Sequence, residues 1–567
     1  MADNRVHAKE LAKHQREISV AEFFEKNRHL LGFDNPKKAL LTTIKEAVDN
    51  ALDACEEARI LPEVNVEVID MGNSRFRVIV EDNGPGIIRS QIPKIFAKLL
   101  YGSKFHRLSQ SRGQQGIGIS ASVMYSQLTT GKAVKIMSKT DSNGEAHYYE
   151  LKIDTKKNKP EIIVDETRPW ENKEHGTRIE LDLEAEYKKG STSIDEYLKE
   201  TGIINPHVTL IYVNPESKQI IFPRAVEELP KEPKEIKPHP YGVELGALMK
   251  MMKFSEYKNL NKFLKNEFSK VGSETVKKIC EEALIDPSER LKNIRREEAE
   301  KLIQAIKKTK IIAPSTDCLS PIGEEPLEKG LRKGINAEFY CSVSRSPNVY
   351  RGNPFQIEVA LAYGGELEKE GKAEIMRFAN KVPLLYQKSA CAITKAVKEV
   401  KWRSYRLKQS NNSIPDGPLT IIVHMASVWV PFTSESKEAI AHYPQIIDEI
   451  KLALQEAGRK LKVYLSKKQR IGKEIKKRSL IEKYMPHVAE ALQDILGLSD
   501  TEKKQLIDDL KIVLEKDRGK IDDIEFDKDK NADYSDTWAL NKENEEENEN
   551  KDEDEYNDEE ENENKME

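Results

Sequence analysis

Three short polar stretches, held in order and spacing, constrain the fold of this chain more than any other feature: Glu46-x-x-x-Asn50, Asp82-Asn83-Gly84-Pro85-Gly86 and Gly113-Gln114-Gln115-Gly116-Ile117-Gly118. Around the first, Leu41, Ile44, Val48, Leu52 and Cys55 recur every three or four residues. This predicts a helix opened by Asn35-Pro36 and running to about Ala58. Its apolar stripe faces a core, while Glu46, Asn50 and Asp53 share a second face. Around the second stretch, Arg75 to Glu81 alternates, with Phe76, Val78 and Val80 opposed to Arg77 and Ile79, which predicts a strand delivering Asp82 to a sharp turn. After the third, Ile119-Ser120-Ala121-Ser122 continue as a helix of mostly small side chains, suited to close packing.

Each stretch suits one part of a nucleoside triphosphate. A Glu and an Asn one helical turn apart serve one ligand: Glu46 orients or deprotonates a water, and the Asn50 oxygen suits Mg²⁺, which prefers hard oxygen ligands. A strand-end carboxylate, Asp82, accepts a hydrogen bond from an adenine amine, and Gly84 and Gly86 let the backbone approach a flat base. Glycines before a helix let several backbone N–H groups converge on phosphate, with Ser103 and Lys104 as further donors. Taken singly, the stretches also fit a solvated helix face, an Asx turn and a surface loop. Their joint order favours one site.

At 567 residues the chain is too long for one core. Leu229–Pro240 and Ile312–Pro326 are Pro-rich crossings. Between them, residues 243–310 are Lys/Arg-rich and helical, with breaks expected at Gly272 and Asp286-Pro287. A second α/β region follows, with strands near Ala337–Val343, Phe355–Tyr363 and Leu419–Val430 and helices near Lys388–Val400 and Ser436–Leu465, then further helix over 466–515. The Leu419–Val430 run is too short to span a bilayer. The five cysteines show no Cys-x-x-Cys pair, so no metal knuckle is implied and a cytoplasmic setting is expected. The net charge of −5 hides an asymmetry: residues 541–567 hold fifteen acidic residues and three lysines, leaving +7 for the rest. A mildly basic body suits a polyanion, and the acidic tail lacks apolar residues for a core.

The three stretches together resemble the GHKL ATPase superfamily of gyrase, Hsp90-type chaperones, histidine kinases and MutL-type repair proteins, over residues 16–224. His175-Gly176-Thr177 falls where that family places a Gly-Thr before a strand, which puts Thr177 near the adenine. The resemblance implies a Bergerat α/β sandwich, ATP and Mg²⁺ as cofactors, Glu46 as catalytic base and Asn50 as metal ligand. It also extends the ATP-binding set over Gln114, Gln115, Ile117, Ile119 and Ser120.

The order of helices and turns over 243–310 looks like a helix–two-turns–helix module, and Val430-Pro431-Phe432-Thr433-Ser434-Glu435-Ser436-Lys437 is a second distinctive stretch. With these, residues 1 to about 500 resemble the B subunits of archaeal-type DNA topoisomerase VI, a type IIB enzyme. An α+β multidomain chain follows: an arm (1–15), a GHKL ATPase domain (16–228), the helix–two-turns–helix domain (229–310), a ribosomal S5 domain 2-like transducer with a long C-terminal helix (311–470), a helical segment (471–520) and a disordered acidic tail (521–567). Lys437 is expected at a helix start, where the macrodipole disfavours a cation unless an anion lies between. The resemblance makes it a catalytic, γ-phosphate-reaching switch lysine. Lys401-Trp402-Arg403-Ser404-Tyr405-Arg406 interleaves cations with aromatics, and Lys401, Trp402, Arg403 and Tyr405 are candidate DNA contacts.

No acidic triad or tyrosine nucleophile for strand cleavage is evident, so the resemblance implies a separate DNA-cleaving A subunit. It further implies double-stranded DNA as partner, dimerisation of two B chains on ATP within an assembly of two A and two B, no membrane, and a nucleoid-associated location. The alternative is an ATP-gated chaperone-like or repair clamp without topoisomerase activity.

Overall fold

The computed structural model describes residues 17–104, 107–113, 116–142, 144–171, 173–434 and 436–518. The expected arm over 1–15, Gln114, Gln115 and the expected acidic tail over 521–567 lie outside the described residues. The chain divides into two compact units, Met1–Tyr464 and Leu465–Glu567.

The first unit opens with α1 (Val20–Lys26) and α2 (Pro36–Glu57), then β1 (Glu63–Asp70) and β2 (Arg75–Asp82). Next come α3 (Ile92–Ala97), α4 (Gly118–Thr130), β3 (Val134–Lys139), β4 (Ala146–Asp154), β5 (Lys159–Arg168) and β6 (Gly176–Glu184). The run closes with α5 (Ile194–Ile204), β7 (Thr209–Val213) and β8 (Gln219–Phe222). These eight strands form one sheet in the order β5-β4-β3-β6-β2-β1-β7-β8, antiparallel except for β1 and β7. Asn35 caps α2 by accepting from the Lys38 N–H at 2.9 Å, and Pro36 takes the first helical position, where no donor is lost. The stripe Leu41, Ile44, Val48, Leu52 and Cys55 is buried as the spacing requires. α2 and α4 lie on the sheet, and their apolar faces share one core with Val64, Val66 and Val68 of β1.

A helical module follows: α6 (Leu245–Phe254), α7 (Leu260–Glu267), α8 (Ser273–Ala283) and α9 (Arg296–Lys308), around Leu248, Phe263, Ile279 and Leu302. The single first helix expected up to Lys270 is split. Asn259 starts α7 afresh by accepting from the Lys262 N–H at 3.0 Å. The last helix begins at Arg296, later than expected, because the backbone of 287–290 is engaged beside α7: the Leu260 and Asn261 N–H groups donate to Glu289 O and Pro287 O.

The second α/β region comprises α10 (Glu324–Gly334), β9 (Phe339–Ser344), β10 (Asn348–Tyr350), β11 (Asn353–Tyr363), β12 (Glu374–Ala379), β13 (Val382–Pro383), α11 (Ala392–Glu399) and β14 (Leu419–Ser427). Its sheet runs β10-β11-β14-β12-β13, with β9 also paired to β11. Every residue of β14 is buried, which explains its largely apolar run. Its one imidazole is satisfied inside the core: His424 Nε2 accepts from the Lys381 N–H at 2.9 Å, so Nδ1 carries the proton and donates to Glu358 at 2.8 Å. Burial opposes the Glu358 charge, yet His424 and the Ile322 and Gly323 N–H groups hold its carboxyl below the usual range. α12 (Pro444–Leu496) is one helix across the break expected at 465–466, and α13 (Asp500–Arg518) belongs to the second unit.

Candidate nucleotide site

A cavity of about 630 Å³ lies in the first unit where α2, the end of β2, the glycine loop and loops of the second α/β region meet. α2 contributes Glu46 and Asn50, one turn apart. Gly118, the first residue of α4, sits over the carboxylate: a Cβ there would lie 1.7 Å from Glu46 Oε2. Glu46 therefore approaches the start of α4, where unpaired N–H groups and the helix dipole favour negative charge.

Asp82 ends β2 and is 7% exposed. Its Oδ1 accepts from the Gly84 N–H at 2.8 Å and the Thr177 N–H at 3.1 Å. Burial still pushes the carboxyl up to about 6. Thr177 and Gly86 also line the cavity. Gly84 does not, which corrects the expected reason for a glycine there: its Cβ would meet Asp82 Oδ1 at 2.9 Å, so the missing side chain serves the carboxylate's own packing. Gly86, at φ +72°, has a comparable cause, since a Cβ would lie 2.1 Å from Lys139 O of the neighbouring β3.

Ser103, Lys104, Gly113, Gly116, Ile117 and Ile119 all face the cavity. Burial opposes the Lys104 ammonium, but ion pairs with Asp53 at 2.5 Å and Glu57 at 3.3 Å raise its pKa. Ser120 is not in the lining; its buried hydroxyl donates to Ile117 O at 3.1 Å. Arg112 is buried just before the loop. It donates to Asp53 at 3.0 Å, Glu56 at 2.6 Å and Asn205 at 2.5 Å.

Lys437 reaches the same cavity, but not from a helix. It has φ +53° in a loop closed by the Phe432–Ile440 bridge, and the next helix starts only at Pro444. The expected dipole argument thus has no helix to rest on. The closed loop places the side chain, whose Nζ donates to Arg112 O at 3.2 Å.

A family model described as histidine kinase-, DNA gyrase B-, and HSP90-like ATPase matches residues 35–186. A second, described as topoisomerase VI B subunit, transducer, matches residues 314–477. The type 2 DNA topoisomerase 6 B subunit of Methanosarcina barkeri is 54% identical over 490 residues, spanning 86% of this chain and 79% of the relative. Its counterpart from Methanococcoides burtonii is 53% identical over the same shares, 86% and 79%. Among solved structures, the 43K ATPase domain of Thermus thermophilus gyrase B matches at 12% identity with a TM-score of 0.38, over 84% of this chain and 98% of that one. The chain belongs to the B subunits of archaeal type IIB DNA topoisomerase.

As a topoisomerase VI B subunit it is the ATP-binding and ATP-hydrolysing part of an ATP-dependent topoisomerase, and the clamp without topoisomerase activity is set aside. Among its described residues no helix is long and apolar enough to cross a membrane. Its aromatic–cation stretch is a 3₁₀ turn, Trp402–Tyr405, and corrects two expected DNA contacts, Trp402 and Tyr405. Trp402 is 0% exposed and its indole N–H donates to Val397 O at 2.8 Å. Positions three apart eclipse in a 3₁₀ turn, so Tyr405 follows Trp402 inward and packs on Gly458, while Lys401 and Arg403 stay exposed.

The B subunit's cavity also holds residues that sequence reasoning passed over. Lys45 lines it, with burial pushing its ammonium down. Asp49 lies behind, pushed up to about 7 by burial, and accepts from Tyr197 OH at 3.2 Å. Lys45 directly precedes Glu46 and Asp49 directly precedes Asn50, so the spacing carried a signal. Pro383, Leu384, Leu385 and Tyr386 line the far wall, and nothing local in the sequence marks them.

Proposed function

We propose that ATP with Mg²⁺ occupies this cavity with its adenine amine on Asp82, its phosphates under residues 113–118 and its γ-phosphate between Glu46 and Lys437. The observation that carries this reading is that Lys437, from the loop before α12, and Glu46, on α2, line one cavity. Glu46 takes a proton from the attacking water as the bond from Pγ to the ADP oxygen breaks, a role worth about 10²–10⁴ in rate. Lys437 offsets charge on the γ-phosphate. Lys104 and Ser103 supply further donors at the lid, and Thr177 steadies Asp82 through its N–H.

The residues suit Mg²⁺ in one respect: Asn50 offers a hard oxygen into the cavity, while the described residues hold no cluster of His, Cys, Asp or Glu able to bind a metal unaided. Asn50 would hold such an ion, which when bound would neutralise phosphate charge.

In this reading one ligand contacts both the ATPase domain (16–228) and the transducer (311–470), so it favours one angle between them. Closure pairs two B chains, with the arm over 1–15 exchanged. Shifting such an equilibrium from 1:99 to 99:1 takes about 5.5 kcal/mol, shared between two nucleotides. The clamp works in the cytoplasm, on the nucleoid, with a DNA-cleaving A subunit in an assembly of two A and two B, passing one duplex through a break in another. Lys401 and Arg403 contact phosphate, and the helix–two-turns–helix domain (229–310), the helical segment (471–520) and the tail (521–567) complete the chain. The test is Glu46→Ala, which should bind adenylyl-imidodiphosphate by calorimetry yet lose ATP turnover; turnover at the parent rate sinks the proposal.

A further inference from the structure

The turn joining β12 to β13 has only two residues, Asn380 and Lys381, with φ of +49° and +65° and the flanking pair Ala379–Val382 in register. Two left-handed residues in a row make a type I′ hairpin, whose second position favours glycine. A lysine there works against the local backbone preference, and such departures concentrate where a side chain is needed. The side chain is not a surface one: Lys381 is 4% exposed.

Its surroundings show what it holds. Lys381 Nζ donates to Ser320 Oγ at 3.0 Å and lies 3.6 Å from Glu56 on α2. Glu56 accepts from Arg112 at 2.6 Å. The Lys381 carbonyl accepts from Asn205 Nδ2 at 3.1 Å, and Asn205 Oδ1 in turn accepts from Arg112 at 2.5 Å. Two routes, one through the side chain and one through the main chain, thus converge from Lys381 on one guanidinium. The neighbouring residues are held as well. Asn380 Nδ2 donates to Ser111 O at 3.0 Å, and Gln110 exchanges hydrogen bonds with the main chain of Ser320 at 3.1 and 2.7 Å. Lys437 holds the Arg112 carbonyl. Three consecutive residues at the root of the glycine loop, 110–112, are therefore gripped by Ser320, Asn380, Lys381 and Lys437 of the second α/β region.

We propose that Lys381 is a positioning residue for ATP turnover, a second point besides Lys437 at which the transducer sets the glycine loop, acting on Arg112 through Glu56 and Asn205. It does not line the cavity. Glu56 suits the part: burial opposes its charge, but Arg112, Lys381 and His207 hold its carboxyl well below the usual range, so it stays an anion between two cations. An uncharged side chain at 381 leaves Glu56 to Arg112 and His207 and removes the side-chain route from the β12–β13 turn to the loop root, the main-chain route through Asn205 remaining. The inference rests on the reading that this cavity holds the nucleotide.

Lys381→Gly separates charge from fold, because glycine is the better residue for the turn. In the full chain assembled with its DNA-cleaving partner, it should keep its melting temperature and bind adenylyl-imidodiphosphate within about threefold of the parent. It should lower kcat for ATP by about tenfold with KM little changed. Lys381→Arg should recover most of that loss. Parent-like kcat in Lys381→Gly overturns the proposal, as does a loss that arginine fails to rescue or that follows a fall in melting temperature. Failure of the nucleotide reading would appear differently, as absent heat with adenylyl-imidodiphosphate in the unsubstituted chain.

Discussion

Replacing Gly118 by alanine separates the chemistry of this site from its folding. A Cβ at 118 would lie 1.7 Å from Glu46 Oε2, 2.4 Å from Cδ and 3.0 Å from Cγ. The carboxylate must then retreat by roughly 1.7 Å to regain ordinary contact. Glu46 is a flexible side chain and gives way by changing rotamer, at about 0.5–1.5 kcal/mol. Against that, alanine is favoured over glycine in a helix by about 0.5–1 kcal/mol. The two nearly cancel, so the melting temperature should stay within about 3 °C of the parent. Catalysis has no such offset. A misplacement of about 1 Å costs on the order of 10²-fold, close to 2.7 kcal/mol, and the ceiling is the ~10⁴ that a general base contributes. Steady-state ATP hydrolysis should show kcat down about 100-fold, while calorimetry with adenylyl-imidodiphosphate shows binding retained. The Glu46→Ala/Gly118→Ala double variant should be no slower than Glu46→Ala alone. A kcat within threefold of the parent, or a double variant slower by the product of the two single effects, refutes the placement of Glu46 under α4.

Nucleotide affinity should be level above pH 7 and weaken below about pH 6, approaching tenfold per unit, because in the proposed reading Asp82 accepts the adenine amine as a carboxylate and burial holds its pKa at about 6; titration at several pH values checks this, and Asp82→Asn should flatten the profile. Glu358→Ala should cost about 3–5 kcal/mol in urea unfolding, since it leaves the buried His424 and two half-buried N–H groups without their acceptor. Because the folded-state pKa of Glu358 is depressed, the stabilisation it contributes is complete above its unfolded value near pH 4.3 and fades as pH falls below it. Replacing both Lys401 and Arg403 by alanine should lower the salt slope of duplex binding by about 1.8, whereas Trp402→Ala should act on stability, at about 3–5 kcal/mol.

Much of the ATPase half was legible from residues alone because its signals are local. The α2 stripe repeats every three to four residues, Asn35-Pro36 caps it, and β2 alternates up to Asp82; each follows from backbone geometry within a dozen residues. The helical module was legible in kind but not in its boundaries, because α7 restarts on a single Asn259 cap and the late start of α9 depends on hydrogen bonds from Leu260 and Asn261 to the backbone of another segment, Pro287 and Glu289. Trp402 could not be sorted by pattern, since cations alternating with aromatics suit a strand and a 3₁₀ turn alike, and the two put different side chains inward.

The sequence by itself determined which groups the site owns: a carboxylate and an amide one turn apart, a strand-end carboxylate, and a glycine loop leading into a helix. Periodicity and the absence of a Cβ are properties of the chain, and they survive any packing. Only the tertiary structure decided what those groups touch. It set Glu46 beneath Gly118, assigned Gly84 and Gly86 to a carboxylate and a neighbouring strand, and moved Lys437 from a helix start to a closed loop. It also buried Lys381 against α2. Most of these outcomes turn on contacts between segments tens to hundreds of residues apart, which no local propensity encodes.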